Sequence, residues 1–554
     1  MKRDRIDNLT DVISGIDEKY IDEVSKEREL EMEDHQREKK RKRTVILRLA
    51  ITAAACVAVV FAAKGAIAGL FGAGASNIKE EVNKVNEGDV TASPDSEVAM
   101  ANTANDTDPE VPEQSDENSQ YVKADFTAYH KAKPIVALKC PEVPELPSFN
   151  NILYDNQEEY NNYQWELSNW RTAQSERRSC GESLDISEDF YRDTALEFLS
   201  ESDKNRIYSP VNLYLALAML SETAGGDSRS ELLELLGEED IEGVRTNSRN
   251  LWLSHYRNDV ASRTVLGNSI WLDKEFDYKK DCVKSLAENY YAECFSEKLS
   301  EASEKIKDWV NVKTGDFLKD AADEIEVPEY TTNMMIFSTL YFTGRWEDSF
   351  AEANTSQRIF HSAEGDITTD FMYQCSEYGP YYWGEDFGAV QLSFKKGGSM
   401  WFILPDEDKT IDDVLSSGEY LEMVKNGNTT YPKILWENQK SMIVKLHLPK
   451  FDISSDLDLK EGLQKLGVDD IFEVETADFS GITDDEAFLG KVRHAARVAI
   501  DEEGCTAAAF TEEALCGAAR PPEEEIELVF DRPFIFVITS DVGEPLFIGT
   551  VYNP

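Results

Sequence analysis

The groups from which most hydrolases and metalloproteins are built are scarce in this chain. It has six histidines, and none falls in a His-Glu-x-x-His spacing, which disfavours a zinc hydrolase. The eight cysteines are Cys56, Cys140, Cys180, Cys282, Cys294, Cys375, Cys505 and Cys516. None forms a Cys-x-x-Cys pair, so a zinc ribbon or thioredoxin-like centre is disfavoured too. Their spacing is not that of a disulfide scaffold, although one bridge, Cys282 with Cys294, stays open. No Gly-x-Ser-x-Gly is present. Gly226-Asp227-Ser228 superficially resembles a serine-protease nucleophile, but it lacks the following glycine and reads as a turn and helix cap. Positive charge is short as well: 57 Lys and Arg stand against 107 Asp and Glu, a formal net charge of -50. Phosphate binding needs a basic stripe, so nucleic acid is excluded as a partner; such a surface is solvated and favours basic partners. No repeat of about 20–50 residues is visible.

What is present is a long chain, 554 residues with 41% hydrophobic and 10% aromatic content, enough for one large core plus appendages. Residues 1–43 are polar and helix-prone and end in the basic cluster Lys39 to Arg43. Residues 44–71 carry an apolar run, Val45 to Ala63, that as a helix spans about 28 Å, close to a bilayer's hydrocarbon thickness. Arg48 is placed to snorkel. Ala66-Ile67-Ala68 has the form of a signal-peptide cleavage site, but the basic region begins far from Met1, which favours an uncleaved anchor. The positive-inside rule then predicts a single-pass protein of the cell membrane, with a cytoplasmic N-terminus and the rest extracellular, in the manner of a bacterial surface protein. Residues 72–123 are acidic and poor in large apolar side chains, a disordered stalk by composition. Residues 124–185, rich in Tyr, Pro and Trp, read as a collar.

From 186 to 554 the pattern is globular. Ser187 ahead of Glu188 and Asp189 signals a helix start, and Ser209-Pro210 precedes an apolar helical run from Leu213 to Leu220. Helical periodicity returns between 298 and 320. Strand-like runs follow at 335–342, 389–394, 399–405, 442–449, 526–540 and 545–553. Helices mainly first and strands mainly last predict an α+β domain.

The segment 498–522 is the most unusual. Gly504 supplies a permissive hinge, and alternate positions after it, Cys505, Ala507, Ala509 and Thr511, are small enough to face a crowded core at the period of a strand. Residue by residue, the segment is either a plain alanine-rich loop or a loop that can become a strand.

The segment resembles the reactive-centre loop of serpins, whose hinge reads Glu-x-Gly-Thr-x-Ala-Ala-Ala; here it is Glu502, Glu503, Gly504, Cys505, Thr506, Ala507, Ala508, Ala509. Asn205 to Pro210, Leu340 to Trp346, Phe360-His361, Asp531 to Phe534 and Pro545 to Gly549 resemble further serpin signatures in the family's order, over about residues 186–554. The resemblance implies helices packed around a large central β-sheet, with additional sheets and an exposed loop. It implies a monomeric suicide inhibitor, needing no cofactor or metal, that traps a target serine protease covalently. A non-inhibitory serpin, a binding or carrier module, is the alternative. Ser209 and His494 match the shutter beneath the sheet, Trp346 the breach where insertion starts, and Glu502 the hinge acid. Two positions depart: Ser338 stands for the usual shutter asparagine and Cys505 for the usual hinge threonine. Counting about fourteen residues from Gly504 places the cleaved bond at Ala518–Ala519, a small-residue bait for an elastase-like protease. Gly517 and Ala519 are the neighbouring alternatives; Arg520 is a further rival, but Pro521 follows it and makes that bond a poor substrate.

Overall fold

Helix starts follow the caps that the sequence supplies. The computed structural model describes residues 132–138, 157–200, 203–258, 262–325, 327, 333–395, 397–427, 436–489, 492–505 and 524–554. The longer helices are α1 (Gln157–Glu182), α2 (Glu188–Leu199), α3 (Pro210–Thr223), α4 (Gly226–Leu236), α5 (Ile241–His255), α6 (Lys280–Tyr290) and α7 (Ser303–Thr314). Ser187 caps α2 by accepting from Asp189 N, Ser209 caps α3 by accepting from Asn212 N, and Asp240 caps α5. Pro210 occupies the first turn of α3, where its missing N–H costs nothing.

The strands are, in chain order, β1 (Arg206–Tyr208), β2 (Arg257–Asn258), β3 (Ser262–Asp273), β4 (Ala292–Glu297), β5 (Met334–Arg345), β6 (Ser356–Ser362), β7 (Gly365–Trp383) and β8 (Phe387–Ser393). Then come β9 (Ser399–Pro405), β10 (Gln439–Pro449), β11 (Phe451–Asp458), β12 (Arg493–Ile500), β13 (Gly504–Cys505), β14 (Glu525–Val529), β15 (Phe534–Thr539) and β16 (Pro545–Val551). They form two sheets. The central one has the order β11-β12-β13-β5-β3-β2, with β4 also on β3; the other runs β1-β16-β15-β9-β8-β7-β10-β14, with β6 on β7. The expected α+β architecture is therefore present. Every residue of β9, β15 and β16 is buried, as in strands covered on both faces. Helix α3 is apolar nearly all round and touches both β5 and β16, so it fills the space between the sheets.

The run predicted over 526–540 is two strands, β14 and β15, because Pro533 in the Asp531-Arg532-Pro533 corner cannot donate to a ladder. Strands β3 and β7 were not evident in the sequence. Much of β7 is half-exposed, which blurs its pattern, and β3 buries the polar Asn268 and Ser269.

The membrane expectation is corrected. No helix among the described residues is long and apolar enough to cross a membrane. The apolar α3 has 14 residues, about 21 Å of helix, and lies in the core, whereas α1 has 26 residues but a strongly polar sequence. The run from Val45 to Ala63 that carried the expectation lies outside the described residues. The open Cys282–Cys294 bridge is also not formed: both thiols are free, and their sulfurs donate to Glu222 O (3.6 Å) and Val283 O (3.5 Å). Two pieces of the Tyr/Pro/Trp-rich stretch are described. Val136 bridges antiparallel to Cys294 at the edge of β4, and α1 packs along α5.

Candidate functional site

The site begins where β12 ends. Asp501 Oδ1 accepts from the backbone of Glu503 (2.9 Å) and Gly504 (3.2 Å), and Asp501 N donates to Gly504 O at 3.0 Å. This turn reverses the chain within four residues. Gly504 then approaches β5 so closely that a Cβ there would lie 2.3 Å from Gly344 O; only glycine fits. Beyond the turn, Gly504 and Cys505 pair antiparallel with Arg345 and Gly344 of β5, while Cys505 pairs with Ile500 of β12. Strand β13 is thus a two-residue wedge of new strand at one end of the seam between β12 and β5. Away from the wedge, β5 is laddered to β3 along nearly its whole length and β12 to β11.

The turn is held from three sides. The Glu502 carboxylate is buried and receives Lys450 Nζ (2.6 Å) and Thr355 Oγ1 (2.6 Å). Burial alone would raise its pKa; the bonds from Lys450 and Thr355 outweigh that and hold it below the ordinary carboxylate range. Phe350 N donates to Glu502 O (2.9 Å) and Trp346 N to Glu503 O (3.0 Å). The Trp346 indole donates to Asp501 O (3.0 Å) and stacks on Phe394 with ring centroids 4.9 Å apart. Trp346 therefore sits directly against the turn, beside the wedge.

Deeper along the seam, two polar clusters meet under the sheet. His494 Nε2 accepts from Ser209 N at 2.9 Å. Its ring is fully buried, and desolvation pushes its pKa down to about 4, so it is neutral with its proton on Nδ1. Ser338 Oγ donates to Asn268 Oδ1 (2.8 Å) and also contacts the Asn212 side chain, while Asn268 Nδ2 donates to Tyr290 O (2.7 Å). Ser209 Oγ accepts from Asn212 N, so α3's cap links the clusters.

Of the residues singled out in the sequence, Glu502, Glu503, Gly504, Cys505 and Trp346 meet at one end of the seam, and Ser209, His494 and Ser338 further along it. Thr506, Ala507, Ala508, Ala509 and the bond Ala518–Ala519 lie outside the described residues. Sequence reading missed Lys450, Thr355, Asp501, Asn212 and Asn268. Asn212, an amide inside an otherwise apolar helix, was a usable signal; nothing marked Lys450 or Thr355. Ser228 is buried in α4 and accepts from Asp478 N at 3.0 Å, a packing role. His361 is exposed beside Asp366 (2.7 Å), and His447 lies 3.2 Å from Glu527.

Comparison with known proteins matches the family described as Serpin (serine protease inhibitor) over residues 185–554. Serpin-Z2B of Triticum aestivum is 29% identical over 372 residues, covering 63% of this chain and 90% of the relative. A serine protease inhibitor of Cyanea capillata is 28% identical over 367 residues, covering 64% and 93%. Among solved structures, the thermophilic serpin tengpin in its native state superposes with a TM-score of 0.58 at 25% identity, covering 66% of this chain and 93% of tengpin. Serpin48 of the insect Tenebrio molitor gives 0.56 at 25% identity, covering 69% and 98%. With two sheets, a two-residue strand between β12 and β5, and a family match over most of its length, this chain belongs to the serpins, a family of protease inhibitors rather than catalysts.

Proposed function

We propose that this chain is a suicide inhibitor of serine proteases with small, elastase-like specificity pockets, cut between Ala518 and Ala519. The target's serine hydroxyl adds to the Ala518 carbonyl and gives up its proton to the target's own histidine. That proton passes to the amine of Ala519, which leaves, and an ester joins the serine oxygen to Ala518. The freed strand from Cys505 onward then enters the central sheet. About fourteen strand residues reach about 46 Å, nearly the width of a domain this size, about 50 Å. The acylated protease is carried to the far end before water can release it.

The observation that carries this reading is β13. Its two residues already run antiparallel between β12 and β5, in the direction and register that a longer inserted strand would continue. In this reading Glu502 to Ala509 are the hinge, Trp346 lines the breach, and Ser209, Ser338 and His494 form the shutter that must yield. The small residues Ala507 and Ala509 would face inward, where a strand's alternate positions meet the core.

The test is incubation of the full chain with pancreatic elastase. The expected result is a complex that survives denaturing electrophoresis and a released C-terminal peptide that begins at Ala519. Cleavage without a complex, and without a rise in the melting midpoint of the cut protein, would sink the proposal and leave a non-inhibitory binding or carrier module.

A further inference from the structure

Strand insertion requires β12 and β5 to part by one further strand spacing, about 4.8 Å. The structure shows what spans the two sides. On one side lie β5, β3, β4 and β2, and α5 runs straight into β2 through Tyr256. On the other lie β11 and β12; both contact β1, which pairs with β16, which pairs with β15. The turn joining β15 to β16 carries Asp541.

Asp541 is bound from across that division. Arg257 of β2 reaches its Oδ2 at 2.9 Å. Arg177 of α1 lies 3.3 Å from Oδ1 and 3.4 Å from Oδ2. Arg177 Nη2 also donates to Ser254 O at the end of α5, at 2.6 Å. Arg177 is 7% exposed, so water cannot readily replace these bonds. Burial alone would raise the Asp541 pKa, but the two guanidinium groups hold the carboxyl below its usual range. Four residues on, Gly181 sits so close to the same turn that a Cβ would lie 2.7 Å from Val542 Cγ1. Helix α1 therefore grips α5 and the β15–β16 turn together, and it precedes the family match, which starts at residue 185.

We propose that α1 is a clasp across the seam that opens: Arg177 and Arg257, both on Asp541, tie the β5 half to the β12 half and set how readily the loop inserts. Arg177 and Asp541 are positioning residues: in this reading they act through the strands they hold. The inference rests on the insertion reading above.

The test compares uncut and loop-cleaved forms of the full chain carrying Arg177→Ala. A clasp broken by insertion stabilises only the uncut state. The uncut midpoint should fall by about one to two degrees, the cleaved midpoint should not move, and warm incubation should erase inhibitory capacity about fivefold faster, the factor of a ~1 kcal/mol change. Equal falls in both forms would mark Arg177 as ordinary packing and overturn the clasp, as would no fall in either. Should Arg177→Ala not fold, Arg177→Lys keeps the charge but loses the fork, and the same one-sided fall, smaller, is expected. If the unaltered protein gains no heat resistance on cutting, the insertion reading itself fails, an outcome separable from failure of the clasp alone.

Discussion

Replacing Glu502 by alanine removes the side-chain anchor of the turn between β12 and β13. The carboxylate accepts two short bonds, from Lys450 and Thr355, each 2.6 Å. Hydrogen bonds to a charged group contribute about 1.5–3 kcal/mol each. The lysine side chain is 33% exposed, so water takes over part of its bond and reduces the loss. The net cost to the uncut state is about 2 kcal/mol. For a domain this large, that lowers the melting midpoint by about 3 °C. Phe350 N and Trp346 N bond the backbone of the turn, not its side chain, so the turn itself should persist. The pH dependence gives a second handle. The folded-state pKa of Glu502 is depressed, so its contribution is complete above the unfolded carboxylate value, about 4.3. It disappears as pH falls through the lower folded value. Melting curves of wild type and Glu502→Ala should therefore differ at pH 7 and converge in acid. A pH 7 difference below about one degree, or one that persists unchanged through the carboxylate range, would refute the reasoning.

Two further outcomes are expected. His255 and His494 are both buried and neutral, with pKa values pushed by desolvation from 6.5 to about 4. Their stabilising contribution is full above pH 6.5 and lost toward pH 4, at about 1.4 kcal/mol per pH unit for each; the urea midpoint should fall over that window, and His494→Gln should remove part of the slope. An unchanged slope in His494→Gln would count against a buried neutral imidazole. Ala509→Arg would force a charge into the sheet during insertion, so the protein should become a substrate that is cut without holding the protease, read as a steep rise in the inhibitor needed per protease molecule.

The turn at Gly504 was legible because its requirement is local. An acidic pair, a glycine and a run of small alternating residues occupy adjacent positions, from Glu502 to Ala509. The caps Ser187 and Ser209 are legible for the same reason, since each bonds a backbone amide two or three residues on. The apolar run from Val45 to Ala63 is equally local, but hydrophobicity alone does not say what surrounds a helix. Helix α3 is also apolar nearly all round and lies between two sheets.

The sequence by itself established the α+β class, several helix starts and strand runs, and the tight turn before Gly504, because periodicity, caps and turn residues act within a few positions. Only tertiary structure decided what holds that turn and the seam beside it. Glu502 meets Thr355 across 147 positions, Ser338 meets Asn268 across 70, and Arg177 meets Asp541 across 364. Pairings at such separations depend on which strands lie side by side, and that order is settled by burying both faces of the sheets at once, a property of the whole chain rather than of any stretch of it.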